Sequence, residues 1–104
     1  AIYQQAVGDD HPDTATFINN VAFNLNYQGK YDQAEPLFEK SLDVYRRVLG
    51  EDHPDTATGY NNLAYNLDDQ RKYDRAEPLY QKALDIRLRA LGESHPDTPR
   101  PGGA

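Results

Sequence analysis

Apolar side chains recur at helical spacing along most of this chain. Ile18, Val21, Ala22 and Leu25 follow one another at steps of three, one and three residues. Such spacing places side chains on one face of an α-helix. A short polar segment leads into a second apolar series, and both series then recur further along the chain. The pattern predicts an all-α chain built from helix pairs. The remaining series are Ala34, Leu37, Phe38, Leu42, Tyr45 and Leu49; Tyr60, Leu63, Ala64 and Leu67; and Ala76, Leu79, Tyr80, Ala83, Leu84 and Leu91.

The two halves of the chain are copies of one unit. Shifting residues 9–50 onto residues 51–92 gives 26 identities in 42 positions, and the triplet His-Pro-Asp begins at 11, 53 and 95. High identity at a fixed period indicates a stacked repeat array. The predicted divisions are the tail of a preceding second helix (1–8), repeat 1 (9–50), repeat 2 (51–92), and the start of a truncated third repeat with a Pro/Gly tail (93–104).

Each first helix carries signals at both ends. The triplet places proline at the first helical position, where its missing N–H costs nothing, and aspartate near the positive end of the helix dipole. We therefore expect His11 and His53 to be the N-caps. Gly29 suits the left-handed position after the helix, whereas Arg71 at the matching place is expected to be strained.

Each second helix is expected to begin at a Tyr-Asp pair and to end at a glycine, Gly50 or Gly92. Pro36 and Pro78 fall in the second turn and remove one backbone hydrogen bond each, so the sequence predicts a small bend or a delayed start. Basic residues cluster on these helices and indicate a solvated outer face. Two ion pairs at i,i+4 are predicted there, Asp43–Arg47 and Asp85–Arg89.

Composition narrows the class of partner. The net charge is −6, from 17 acidic and 11 basic residues, which argues against nucleic acid and anionic membrane because phosphate neutralisation needs a basic patch. No apolar run approaches the roughly 20 residues of a membrane helix. Cysteine is absent, which excludes disulfides and thiolate sites and fits an intracellular, cytoplasmic protein.

The His-Pro-Asp triplets have three possible interpretations. J-domain co-chaperones carry the same triplet, but once and in a loop, whereas here it recurs at every repeat boundary. A shared metal ion needs convergent ligands, yet copies one repeat apart lie roughly 20 Å from each other if two helix layers separate them. Helix capping is the preferred interpretation, and no metal or cofactor is expected.

No catalytic motif stands out. Carboxylate pairs occur at Asp9-Asp10, Glu51-Asp52 and Asp68-Asp69, but adjacent helical residues point about 100° apart and do not converge. The only serines are Ser41 and Ser94, and neither belongs to a recognisable Ser/His/Asp motif. The sequence predicts that the protein is not an enzyme.

Several segments resemble a known family. Asn-Asn-Leu-Ala at 61–64, Lys-Tyr-Asp at 72–74 and Ala-Glu-Pro-Leu-Tyr at 76–80 are similar to the tetratricopeptide repeat. The 42-residue period, long second helix and His-Pro-Asp opening resemble its kinesin-light-chain subclass. The resemblance implies a right-handed superhelix of antiparallel helix pairs, whose first helices line a concave groove that binds extended peptides. The implied function is a non-catalytic protein-interaction scaffold.

The resemblance places one side of each first helix in this groove. Asn19 and Asn61 are expected to contact a peptide backbone, whereas Phe23 and Tyr65 are either groove platforms or packing residues. The acidic pair at 68–69, with no Lys or Arg from the first helices, departs from the acidic-peptide preference of kinesin light chains and favours basic or neutral peptides. The predicted groove residues are Thr16, Asn19, Phe23, Asn26, Thr58, Asn61, Tyr65, Asp68 and Asp69. The asparagines predicted to make structural hydrogen bonds are Asn20, Asn24, Asn62 and Asn66.

The ends of the array suggest a second function. Pro99 stops a third first helix after one turn at most, so the last helix is expected to keep part of its apolar face exposed. Exposed apolar patches often mark association sites. The alternative to a peptide scaffold is therefore a structural array segment, a natural duplication or a consensus-like design, that forms homo-oligomers by end-to-end stacking or helix swapping. The predicted association residues are Tyr80, Leu84, Leu88 and Leu91.

Overall fold

Four α-helices make up most of residues 11–94, the part of the chain that the computed structural model describes. They are α1 (Pro12–Tyr27), α2 (Tyr31–Leu49), α3 (Pro54–Asp69) and α4 (Tyr73–Ser94). Helix α1 packs on α2, α2 on α3, and α3 on α4. This consecutive packing of helix pairs, with no strand in the described range, confirms the predicted all-α solenoid. The predicted helix tail at 1–8 and the segment from His95 onward lie outside the described residues.

Histidine caps open both first helices, as predicted. His11 and His53 have extended backbones, and the Nδ1 atom of each accepts a hydrogen bond at 3.0 Å from the backbone N–H of Asp13 or Asp55. Each cap satisfies one of the backbone donors that the first turn of a helix leaves unpaired. The triplet therefore serves the same structural purpose in both repeats.

The turns that follow the first helices are closed in the same way. The N–H of Lys30 donates to Leu25 O at 2.9 Å, and that of Lys72 donates to Leu67 O at 2.8 Å. The residue before each lysine is left-handed, with φ of 79° at Gly29 and 63° at Arg71. The predicted strain at arginine is confirmed, because a left-handed backbone brings Cβ against the carbonyl oxygen at a cost of about 1 kcal/mol.

The second helices depart from two expectations. They begin at Tyr31 and Tyr73, ahead of their prolines, so a delayed start is wrong. Gly50 ends α2 as predicted, but α4 continues to Ser94, beyond the expected stop. The turn at Gly50 is held by the Thr56 hydroxyl, which donates to Gly50 O at 2.6 Å. Among the described residues, no such hydroxyl reaches the end of α4.

One of the two predicted ion pairs is wrong. Arg47 pairs with Asp43 at 2.8 Å, as expected. Arg89 instead reaches across to the α2–α3 turn and pairs with Asp52 at 2.7 Å, while Asp85 accepts a hydrogen bond from Gln81 on its own helix. The turn offers a carboxylate that local spacing does not reveal.

The core is continuous across the four helices and depends on small residues between them. Gly59 of α3 illustrates this close approach, since a Cβ there would lie 3.1 Å from Leu42 Cδ1 of α2. Phe38, Leu67 and Ile86 are the largest fully buried apolar side chains. None of the described helices is long and apolar enough to cross a membrane. The buried residues of the main cluster are Ala22, Ala34, Phe38, Leu42, Ala57, Tyr60, Leu63, Ala64, Leu67, Ala76, Ala83 and Ile86.

Candidate binding surface

Most of the predicted groove residues of α3 are accessible. Thr58, Tyr65, Asp68 and Asp69 are exposed, and Asn61 is half-buried. Steps of three and four residues put them along one side of the helix, so they form one row. We call these five residues the α3 stripe. Its only aromatic side chain, Tyr65, has 53% of its surface exposed.

Tyr80 of α4 lies beside the acidic end of this stripe. Burial raises its pKa first, and the negative charges of Asp68 and Asp69 and the nearby Tyr65 raise it further. The phenol of Tyr80 therefore responds to the two carboxylates of the stripe, and its ring packs against the main core cluster. A residue predicted from sequence to mediate association therefore adjoins the candidate groove.

The opposite end of the stripe has a basic neighbour. The Arg87 Nη2 atom lies 3.5 Å from the Thr58 hydroxyl. The sequence-based expectation considered only the first helices, and so did not anticipate an arginine contributed by α4. Along α3 the surface therefore changes from a guanidinium near Thr58 to two carboxylates at Asp68 and Asp69.

The aromatic residues at matching positions of the two repeats differ in environment. Phe23 is half-buried and meets Phe38 edge-on, with ring centroids 5.1 Å apart and planes at 80°. It also stacks on Tyr27 at 6.4 Å. This edge-to-face arrangement is a favourable packing geometry. Phe23 is thus a packing residue, whereas Tyr65 offers its ring to solvent.

Most of the groove residues predicted on α1 are buried or half-buried. Asn19 is 8% exposed, and its Oδ1 atom has no hydrogen-bond partner within the described residues. Asn26 is 6% exposed. The exposed Thr16 shares a hydrogen bond of 2.8 Å with the Tyr45 hydroxyl of α2. Of the four groove residues predicted on α1, Thr16 alone is exposed.

Asn26 belongs to a hydrogen-bonded network between the repeats. Its Nδ2 donates to Asp69 Oδ2 at 2.8 Å, and its Oδ1 accepts from Asn66 Nδ2 at 2.8 Å. Asn66 is fully buried and also donates to Tyr31 O at 3.0 Å. Both atoms of the Asn66 amide are used, because its Oδ1 accepts from Gln70 Nε2 at 2.8 Å. These five residues and Glu35 form what we call the junction network.

Glu35 connects this network to the second repeat by charge. It accepts from Gln70 at 2.9 Å and forms ion pairs with Arg75 at 3.0 Å and Lys72 at 3.4 Å. Burial alone would raise the pKa of Glu35, but the hydrogen bonds from Gln70 and Arg75 and the two positive charges outweigh it and lower the pKa below 4.5. The carboxylate is therefore ionised over the neutral range and links the repeats.

The four asparagines predicted to be structural have different environments. Asn66 makes the predicted contacts to a neighbouring helix. Its counterpart Asn24 is exposed, and within the described residues its Oδ1 accepts from Gln28, the residue that follows α1, at 2.6 Å. Asn20 is exposed and Asn62 is half-buried. The roles of Gln70 and Glu35 were missed, although both residues recur in the other repeat as Gln28 and Glu77. That recurrence was the available signal.

Within residues 11–94, no three His, Asp or Glu side chains lie close enough to hold a metal ion. On the last helix, Leu84, Leu88 and Leu91 are exposed. These three leucines, which we call the trailing face, therefore form an accessible apolar row.

Helix pairs stacked in this way define an α-helical repeat protein. The profile of the tetratricopeptide repeat family matches residues 13–89, most of the chain, and the chain belongs to this family. A search of curated proteins found no match. The family generally mediates protein–protein interaction and is typically non-catalytic. Protein–protein interaction is therefore the class of function that membership of this family favours.

Proposed function

We propose that this protein is a non-catalytic scaffold that binds an extended peptide in the groove lined by its first helices. The observation that carries the proposal is the accessible α3 stripe, where polar, aromatic and acidic side chains stand in one row. An extended chain can lie along such a row because both are linear. The repeat's resemblance to the kinesin-light-chain subclass supports the same mode of binding.

The ligand we propose is a peptide with basic or neutral side chains. Asp68 and Asp69 put two carboxylates at one end of the stripe, and the exposed ring of Tyr65 beside them suits a cationic side chain. Thr58 and Asn61 supply hydrogen-bonding groups for a peptide backbone. The preference is opposite to the one known for kinesin light chains.

A pair of synthetic peptides tests this preference. A Lys-rich and a Glu-rich peptide of the same length and labelled at the same end would be titrated by fluorescence anisotropy at several salt concentrations. The Lys-rich peptide should bind more tightly, and the difference should shrink as salt screens the carboxylates. Tighter binding of the Glu-rich peptide would overturn the proposed preference.

Substitutions on the protein test the site itself. Tyr65→Ala should weaken binding of the Lys-rich peptide about twofold to fivefold, since an exposed cation–aromatic contact stabilises by about 0.5–1 kcal/mol. Tyr73→Ala is the matched control, because Tyr73 is equally exposed, at 57%, but lies outside the stripe. Equal losses in the two variants would contradict a binding site on α3.

A second candidate function is assembly of copies through the end of the array. The observation that favours it is the exposed trailing face of α4. Burying these leucines in a second copy would remove apolar surface from water. Replacing Leu84 and Leu88 with Gln should then reduce a concentration-dependent rise in molar mass. A mass that stays at 11.8 kDa over a hundredfold concentration range would reject this candidate.

A further inference from the structure

The two ends of the α3 stripe have opposite charges, each placed by a contact between helices. At the start of the stripe, the Arg87 Nη2 atom of α4 lies 3.5 Å from the Thr58 hydroxyl. At its end, Asp69 is exposed, and its Oδ2 atom accepts a hydrogen bond from the Asn26 amide of α1 at 2.8 Å. The positive end is therefore positioned within repeat 2, and the negative end by the junction between the repeats.

Both charges are available to a ligand. Arg87 is exposed, and within residues 11–94 its side chain contacts Thr58 and forms no ion pair. Asp69 likewise forms no ion pair with a described residue, since its partner Asn26 is neutral. The carboxylate of Asp55, one turn before Thr58, lies 3.9 Å from the capping Nδ1 atom of its own helix rather than beside the guanidinium. Neither end of the stripe is neutralised by the protein itself.

The first repeat shows that both ends of the stripe stay open when another repeat packs behind them. Thr16 and Tyr27 occupy the same two positions one repeat earlier, and both are exposed although α3 packs against the first helix pair. The residue of α2 that matches Arg87 is Tyr45, whose hydroxyl lies 2.8 Å from the Thr16 hydroxyl. The tip of a second-helix side chain therefore reaches this threonine in both repeats, and in repeat 2 the tip is charged.

The length of the stripe sets the spacing of the charges that it can match. From Thr58 to Asp69 the helix rises about 16 Å, at 1.5 Å per residue. An extended peptide advances about 3.3 Å per residue, so about five peptide residues cover the same distance. The exposed ring of Tyr65 lies between the two ends. A peptide that follows the stripe therefore meets the guanidinium and the carboxylate at positions about five residues apart.

We propose that the ligand is a peptide of mixed charge, with a Lys or Arg side chain at Asp69 and an Asp or Glu side chain about five residues away at Arg87. In this register each ligand charge meets its opposite, whereas the reversed register brings like charges together, which disfavours it. The inference rests on the peptide-binding function proposed above and deepens it, because it adds one acidic residue to an otherwise basic or neutral ligand and fixes its position.

Three matched peptides test this charge pattern. The first has Lys and Glu at the proposed spacing, the second has Gln in place of that Glu, and the third has the composition of the first with Lys and Glu adjacent. All have blocked termini and are made in both chain orders, because side-chain contacts alone do not set the direction of the peptide. By fluorescence anisotropy at low salt, the first should bind about twofold to fivefold more tightly than the others in at least one order, the range of an exposed ion pair.

Substitution of Arg87 tests where the acidic side chain binds. Arg87→Gln should abolish the preference for Glu over Gln in the peptide, and Arg87→Glu should reverse it. Arg89→Glu is the matched control, because it makes the same charge change on the same helix at a guanidinium that pairs with Asp52 at 2.7 Å. This control should keep the preference. Both arginines are exposed, and circular dichroism would verify that the variants are folded.

The outcomes separate this inference from the function on which it rests. Equal binding of the three peptides to the wild type overturns the mixed-charge ligand and leaves the preference for a basic peptide standing. A preference for Glu that persists in Arg87→Glu overturns the assigned position of the acidic side chain. If none of these peptides binds, and the Lys-rich peptide does not bind either, the proposed peptide-binding function fails and this inference fails with it.

Discussion

The same asparagine has two different roles in the two repeats. Asn66 is fully buried and hydrogen-bonded to α1, α2 and its own helix. Asn24, one repeat earlier, is exposed, and its side chain is bonded within the described residues to Gln28. The local sequence is nearly identical, and only Asn66 has another described repeat packed against it. The comparison teaches that in a repeat array the neighbour, rather than the residue, determines whether a polar side chain holds the fold or remains available for binding.

The largest expected effect comes from the aromatic pair at Phe38 and Tyr80. Phe38 is fully buried, so Phe38→Ala should lower the free energy of unfolding by about 3–5 kcal/mol. Tyr80→Ala removes a half-buried ring from the same position in repeat 2 and should cost clearly less. Urea unfolding followed by circular dichroism measures both changes. Equal losses in the free energy of unfolding would show that the two rings are buried to the same degree.

Substituting Asn66 and its counterpart Asn24 tests the comparison between the repeats directly. Asn66→Ala should cost about 2–3 kcal/mol, because it leaves Asn26 and the Tyr31 carbonyl without a donor in a buried place. Asn24→Ala is the matched control and should change stability by less than about 0.5 kcal/mol, as expected for the surface. The same urea measurement applies. A loss at Asn24 comparable to that at Asn66 would contradict the assigned roles.

Acid should weaken the junction through Glu35. Its folded pKa lies below 4.5, the value without these contacts, so its stabilisation is fully present above that pH and is lost as pH falls through the folded pKa. Glu35→Gln should remove this part of the pH dependence and cost about 1–2 kcal/mol at pH 7. Unfolding at pH 3 to 7 measures it. An unchanged pH dependence in the variant would exclude Glu35 as its source, and Glu77→Gln provides an exposed control.

The smallest expected effect concerns the turn after each first helix. Arg71→Gly should stabilise the protein by about 0.5–1 kcal/mol, since glycine relieves the left-handed strain but adds unfolded-state entropy. Gly29→Ala should destabilise it by a similar amount. No atom lies within 4 Å of a Cβ placed on Gly29, so the backbone alone accounts for the change. Thermal unfolding would detect both shifts, and a destabilised Arg71→Gly variant would contradict the assigned strain.

Local signals predicted the fold well. The His-Pro-Asp caps and Gly29 each act within a few residues of their position, so their consequences follow from sequence. Contacts between elements could not be predicted in this way. Arg89 pairs with Asp52 rather than with Asp85, which is nearer in sequence, because the α2–α3 turn brings the Asp52 carboxylate near in space.

The candidate site was predicted only in part, because it also depends on contacts between helices. The side of α3 that carries Tyr65 was assigned from helical spacing and is accessible. Burial of Asn19 and Asn26 depends on neighbouring helices, and spacing along one helix contains no information about them. The approach of Arg87 to Thr58 likewise arises from a second helix.

One measurement tests the central claim, that the α3 stripe is the surface left free for a peptide. Isotope-labelled protein would be titrated with the Lys-rich peptide while amide chemical shifts are recorded by NMR. We expect the largest shifts at Asn61, Tyr65 and Asp68, and small ones on the outer face around Asp43. Shifts confined to Leu84 and its neighbours on the trailing face, with the α3 stripe unchanged, would contradict it.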